Sequence, residues 1–307
     1  MASFHLNVIR TVFAAGERLA PGLTGRAAFE LFCRTPSPRR LTPGERRAVA
    51  VARDFMAGAR HHRLSARPGR CVAVHEFRPE RLDRRGMRAC DTVLVVHGWR
   101  SRTEYMRALI AGYVEAGFRA VSLDLPGHGA SPGRRLHMAS AVEAVRVAAD
   151  WFGPFAAIIG HSFGGAVAVN AAAGSIEGIA PVETDSIVTI ASPSSLPAVF
   201  ARFGEAMGLG PLARDAVAAR VRRVAGRALS EFESREMLAR LPIPALVIHD
   251  EDDAEVSAAE GRDMAGAGGH VTLKLTRGLG HRRILADAGV VAAAVAFVAG
   301  HHQPPVQ

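Results

Sequence analysis

Ala156-Ala157-Ile158-Ile159-Gly160-His161-Ser162-Phe163-Gly164-Gly165 decides how this chain is read. The four leading apolar residues read as a buried strand. The small-residue run from Gly165 to Ala173 reads as a helix. Between them a serine stands between two glycines, which is the sequence form of a nucleophile elbow. A strand turning directly into a helix leaves little space at the flanking positions, hence glycine. Such a turn lifts the Ser162 hydroxyl clear of the sheet and aims the free N–H groups of the helix start at any oxyanion formed there. The motif is short, so the reading stands only if the chain also supplies a base, an acid and a second amide donor.

Outward from the elbow, strands and helices alternate. Cys71–Phe77, Thr92–Val96, Ala120–Asp124, Ser186–Ile190, Ala245–His249 and Val271–Leu275 read as strands. Helical stretches at about Thr103–Ala116, Ser140–Trp151 and Asp287–Val298 lie between and after them. This pattern predicts an α/β fold: a doubly wound, mostly parallel sheet of about eight strands covered on both faces. Between Ser194 and Arg240 no strand pattern occurs. Helices are expected at Leu196–Ala206, Ala213–Leu229 and Glu231–Ala239, the last capped by Ser230. A helical insert at the carboxyl edge of the sheet reads as a lid over a pocket. The lid holds few aromatic residues, so a large lipid substrate is not specially indicated.

The chain therefore divides into a basic helical N-terminal extension (1–64), a sheet-bearing domain (65–302, lid at about 194–240) and a tail (303–307). In the extension, Pro21-Gly22 breaks a first helix and Thr24 is a candidate cap for a second. Thr42-Pro43-Gly44-Glu45 is a capping-box start for a helix to about Ala59. The net charge of +9 comes wholly from this end: residues 1–91 hold 18 Arg against 8 Asp and Glu, and the remainder balances to −1. Only Lys274 among the 38 basic residues is lysine. The excess reads as a solvated Arg-rich face, so no nucleic-acid partner is expected; contact with a membrane surface is the lesser reading of the first two helices. Cys33, Cys71 and Cys90 form no C-x-x-C pair and suggest neither a disulfide framework nor a metal site. No secretory leader or membrane-length apolar run is evident, so a cytoplasmic protein is expected.

Ser162 needs a neutral histidine held by an acid. Of 13 histidines, His281 in Gly278-Leu279-Gly280-His281 follows the last strand and precedes the last helix, at the carboxyl edge beside the elbow. Asp250, Glu251, Asp252 and Asp253 all follow the strand ending at His249 and are candidate acids. The oxyanion donors expected are the amides of Phe163, next to the nucleophile, and of Trp99, in the His97-Gly98-Trp99 loop after an earlier strand.

These stretches resemble the α/β-hydrolases of the single-domain, lid-bearing type. The resemblance rests on Val95-Val96-His97-Gly98-Trp99, on Asp124-Leu125-Pro126-Gly127-His128-Gly129, on the elbow, on His249 with Asp253 and Val256, and on Gly280-His281. It spans about residues 70–300. The family pattern H-G-x-x-D-x-x-V-P implies Asp253 as the acid, with Asp250 in place of the usual glycine, Ser257 in place of the usual proline, and Asp250 and Asp252 as rivals. Asp124 and His128 are implied to shape a loop. The activity implied is that of a serine hydrolase cleaving a carboxylic ester or related acyl bond of a small molecule through Ser162, His281 and Asp253. No metal or cofactor is expected. A thioesterase, amidase or perhydrolase using the same triad, or a non-catalytic receptor on the same fold, is the alternative.

Overall fold

The structure, a computed structural model, describes residues 2–37, 41–67, 70–79 and 91–302. Residues 38–40 of the Pro-rich connector, Cys90 and the tail at 303–307 lie outside them. The chain opens with α1 (Ala2–Leu19) and α2 (Pro21–Cys33), separated at the expected break. Pro21 starts α2 at its first turn, where a missing N–H costs nothing. Thr24 therefore does not cap it: Thr24 lies inside the helix and its hydroxyl donates to the Ala20 carbonyl. Thr42 does cap α3 (Pro43–Val51), with the reciprocal Thr42–Glu45 bonds of a capping box. The helix expected to reach Ala59 is two pieces, α3 and the short α4 (Arg53–Ala57).

At Arg60 the chain becomes a strand. β1 (Arg60–Arg67) falls partly inside the stretch 1–64 read as helical, so the sheet starts earlier than expected. Its sequence, Arg-His-His-Arg-Leu-Ser-Ala-Arg, lacks an apolar alternation because it is an edge strand, and charge on an edge blocks unwanted pairing. β1 pairs antiparallel with β2 (Arg70–Phe77), and β2 antiparallel with β4 (Arg119–Asp124). β3 (Thr92–Val96), β5 (Ala157–His161), β6 (Ile187–Ile190), β7 (Ala245–Asp250) and β8 (Val271–Thr276) continue the sheet in parallel with β4. The order is β1-β2-β4-β3-β5-β6-β7-β8. The order reverses between β3 and β5, and the crevice at such a switch point is where α/β sheets hold ligands.

The sheet is buried on both faces. Val93, Val95, Ile159, Ile190 and Ile248 point to one face, under α5 (Arg107–Glu115) and the C-terminal helix. Leu94, Val96, Ile158, Ile187 and Val247 point to the other, under α6 (Met138–Phe152) and α7 (Phe163–Ala172). Alternate residues of one strand thus feed two cores. Between β6 and β7 come α8 (Leu196–Met207), α9 (Pro211–Ala225) and α10 (Ser234–Arg240). Gly226 ends α9 four residues short of the expectation, and Ser230 sits in a single 3-10 turn rather than at a cap. Two short helical segments of the last third, α11 (Ala258–Ala265) and α12 (Gly280–Arg283), precede α13 (Ala288–His301), which Asp287 caps.

The N-terminal helices pack on this insert. The Glu17 carboxylate of α1 accepts the Leu212 and Ala213 amides at 2.8 and 2.9 Å and so caps α9, whose own N-cap is Gly210. A carboxylate there also meets the positive end of the helix dipole. No single helix among the described residues is long and apolar enough to cross a membrane.

Candidate active site

Ser162 has φ 52° and ψ −125°, a conformation L-residues rarely adopt. It persists because the surroundings over-determine it. A side chain on Gly160 would strike the Gly164 and Gly165 backbone, and one on Gly164 the Val96 and His97 carbonyls. The Ser162 amide donates to the Ile190 carbonyl at 2.8 Å, and the Ser192 hydroxyl donates to the Ser162 carbonyl at 2.6 Å. The turn is thereby fixed from β6.

His281 stands between the serine and one acid. Its Nε2 is 3.0 Å from Ser162 Oγ and its Nδ1 is 2.7 Å from Asp253 Oδ2. With Nδ1–H donated to the carboxylate, Nε2 is left to accept the serine proton. The Asp253 side chain is fully buried. Burial pushes its carboxyl up, but hydrogen bonds from the His249 and His281 side chains and from the Val256 and Glu255 amides prevail and hold it well below the usual carboxylate range. His249 Nε2 donates to the Val256 carbonyl at 2.9 Å and lies 3.5 Å from Asp253 Oδ2.

The rival acids hold the loop instead. Asp250 Oδ1 accepts the Asp252 and Gly280 amides at 3.0 and 2.9 Å, and Oδ2 accepts the Thr276 hydroxyl at 2.7 Å and the Leu279 amide at 3.1 Å. Asp252 accepts the Gly278 amide at 2.9 Å, and Glu251 pairs with Arg262 and Arg277. The aspartate where the family pattern has glycine thus anchors the segment that carries His281. Glu255 lies 4.0 Å from His281 Nε2 and pairs with Arg282.

Opposite the elbow, the loop after β3 comes so close that a Cβ on Gly98 would sit 2.9 Å from Ser162 Cβ. Trp99 follows, half-buried, its ring edge-on to Phe163 and His128. Phe163 is the first residue of α7, so its amide has no intrahelical acceptor. His128 Nε2 accepts the Arg100 amide at 3.1 Å, and its Nδ1–H donates to the Pro126 carbonyl. Burial pushes His128 down to about 4, which keeps Nε2 an acceptor. Asp124 accepts the Thr103 and Ala130 amides and His75 Nε2. Both residues brace the loops that flank the serine and touch none of Ser162, His281 and Asp253.

Two contributions were not visible in the sequence. His161, inside the elbow, donates Nε2–H to the His281 carbonyl at 2.8 Å, and burial pushes it down to about 3. Its place before the serine was the only available signal. The second is the pocket. Ser162 opens into a cavity of about 570 Å³ whose walls include not only Leu196, Phe203 and Phe232 of the insert but also Ile9, Leu31, Phe32 and Arg34 of α1, α2 and the residue after α2. The aromatics scarce within the lid are supplied jointly: Phe32 lies 4.3 Å from Phe200, 5.1 Å from Phe203 and 6.2 Å from Trp99, centroid to centroid.

A sheet of this order with a strained serine turn after β5 defines an α/β-hydrolase architecture. A model of the Alpha/beta hydrolase family matches residues 93–294, and the chain belongs to that family. No curated protein sequence matches the chain. Among solved structures it is similar to Est1E from Butyrivibrio proteoclasticus, described with ferulic acid bound (17% identity, 78% of this chain and 98% of that one, TM-score 0.62). It is similar also to an esterase from Pyrococcus furiosus (17%, 88% and 100%, TM-score 0.60) and to the thermophilic esterase Est2 from Thermogutta terrifontis (17%, 82% and 96%, TM-score 0.60). At such identities the likeness is one of fold.

Proposed function

We propose that this chain is a serine hydrolase that cleaves carboxylic esters of small molecules through an acyl-enzyme. The observation that carries the reading is His281, 3.0 Å from Ser162 Oγ on one side and 2.7 Å from Asp253 on the other. His281 Nε2 takes the hydroxyl proton as Ser162 Oγ attacks the acyl carbon. Asp253 holds the tautomer and balances the imidazolium. The Trp99 and Phe163 amides receive the oxyanion, a contribution of about 3 kcal/mol per donor. The proton on Nε2 then passes to the leaving alcohol. A water delivered to the same nitrogen attacks the acyl-enzyme, and free acid leaves as Ser162 regains its proton.

The esterase names of the fold neighbours favour an ester over a thioester or amide. Steady-state hydrolysis of a p-nitrophenyl ester series by the wild type and Ser162→Ala tests the reading. The expected loss is about 10⁴-fold or more in kcat for the variant. Hydrolysis undiminished in Ser162→Ala would assign the chemistry elsewhere.

A further inference from the structure

One wall of the cavity runs along a single helix. Leu196, Val199, Phe203 and Met207 of α8 all line it. They recur every three or four residues and so form one stripe of the helix. From Leu196 to Met207 a helix rises about 16 Å. The near end lies at the nucleophile, because α8 follows Ser192 and Ser195, and Ser192 is bonded to Ser162 itself. The far end lies under α1: a Cβ on Gly208, just past Met207, would meet the Arg10 side chain at 3.6 Å, and Ile9 next to Arg10 lines the cavity. Phe32 of α2 closes the flank against Phe200 and Phe203. The charged lining residues Arg34, Arg100, Arg202 and Glu255 are all exposed, and Arg202 and Glu255 pair with Glu260 and Arg282. Charge therefore stands at the rim, and the interior is mainly apolar, with Asn170 and Ser234 as buried polar members beside Ser162.

From this geometry we infer that the N-terminal helices form the distal wall of an acyl-binding channel, with Ile9 and Phe32 setting acyl-chain length, and that the substrates are esters of uncharged, medium-chain acids. The inference rests on the ester-hydrolase reading above and goes beyond it. Ile9 and Phe32 lie outside the stretch 93–294 that the family model matches. An extended chain advances about 1.2 Å per bond and its terminal methyl needs about 2 Å more, so a length of about 16 Å accepts an acyl group of about ten to twelve carbons. Each methylene withdrawn from water adds a few-fold to kcat/KM until the wall is met. The packing of α1 and α2 on α8 and α9 holds that wall in place.

The test is kcat/KM for p-nitrophenyl esters from acetate to palmitate, measured for the wild type, Ile9→Trp, Phe32→Ala and the milder Phe32→Leu. Each protein is also labelled with a fluorophosphonate to count active Ser162. The wild type is expected to peak near decanoate or dodecanoate and to fall at palmitate. Ile9→Trp fills the far end and should lower the ratio of decanoate to butanoate kcat/KM about tenfold or more. Phe32→Ala opens the flank and should move the optimum toward palmitate, with Phe32→Leu moving it less. A wild-type optimum at acetate, or profiles identical in all four proteins while Ser162 labels fully, overturns the inference and leaves the hydrolase reading intact. Absence of both labelling and ester cleavage in the wild type removes the hydrolase reading, and the inference with it.

Discussion

Replacing Asp253 by asparagine inverts the tautomer of His281, and the structure says why. Asp253 Oδ1 accepts two amides, Glu255 at 2.8 Å and Val256 at 2.9 Å. In Asp253→Asn those amides hold the carbonyl oxygen, so the NH₂ group takes the Oδ2 position, 2.7 Å from His281 Nδ1. Two donors cannot face one another, so Nδ1 becomes the acceptor and the ring proton moves to Nε2. Nε2 then points an N–H at Ser162 and cannot accept its proton. A change of this kind costs about 10⁴-fold in kcat, or about 5.5 kcal/mol of transition-state stabilisation. KM should change little, since Asp253 does not line the cavity. The comparator is Asp250→Asn, which disturbs four hydrogen bonds, two of them to amides of the loop carrying His281, but no atom of Ser162, His281 or Asp253. Its effect should fall mainly on stability, about 2 to 3 kcal/mol for unsatisfied buried partners. Steady-state hydrolysis of one p-nitrophenyl ester, paired with urea unfolding of both variants, separates them. Retention of more than about a tenth of wild-type kcat in Asp253→Asn would refute the tautomer argument. So would an equal kcat loss in a fully stable Asp250→Asn.

Three further outcomes follow from the same contacts. Gly98→Ala puts a methyl 2.9 Å from Ser162 Cβ and 3.1 Å from the His161 carbonyl; pushing the Trp99 amide off the oxyanion position should lower kcat about 100-fold, read by steady-state kinetics. Glu17→Ala strips the cap from α9 and should cost about 1 kcal/mol, seen as a Tm lower by about 2 to 4 °C. His128 and His161 titrate at about 4 and about 3 in the folded chain, below their ordinary value of 6.5. The unfolded chain therefore binds protons that the folded chain refuses, and stability, full above about pH 6.5, falls as the pH drops toward 4 by about 1.4 kcal/mol per unit for each group. Urea midpoints taken across that window should show the slope reduced by one such increment in His161→Gln; an unreduced slope would contradict the assignment.

The elbow, the parallel strands and the place of His281 were legible because each is a local pattern: a glycine-flanked serine, apolar runs, and a histidine between a strand and a helix. The acid needed more. Four acidic residues follow β7, and their roles separate only once the Leu279–Gly280 backbone folds onto Asp250 and leaves Asp253 facing His281. β1 escaped notice because an edge strand rich in Arg and His shows no period of two. The N-terminal helices could be read as helices from their proline and capping signals. That Ile9 and Phe32, more than a hundred residues before Ser162 in the chain, would line its pocket is a tertiary fact with no local signature.

Labelling with a fluorophosphonate, followed by intact mass and peptide mapping, tests the central claim most directly. A Ser162 hydroxyl primed by His281 and Asp253 should take up one equivalent on the peptide containing Gly160-His161-Ser162-Phe163-Gly164, and Ser162→Ala should take up none. A wild-type protein that stays unmodified, or an adduct that persists in Ser162→Ala, would contradict it.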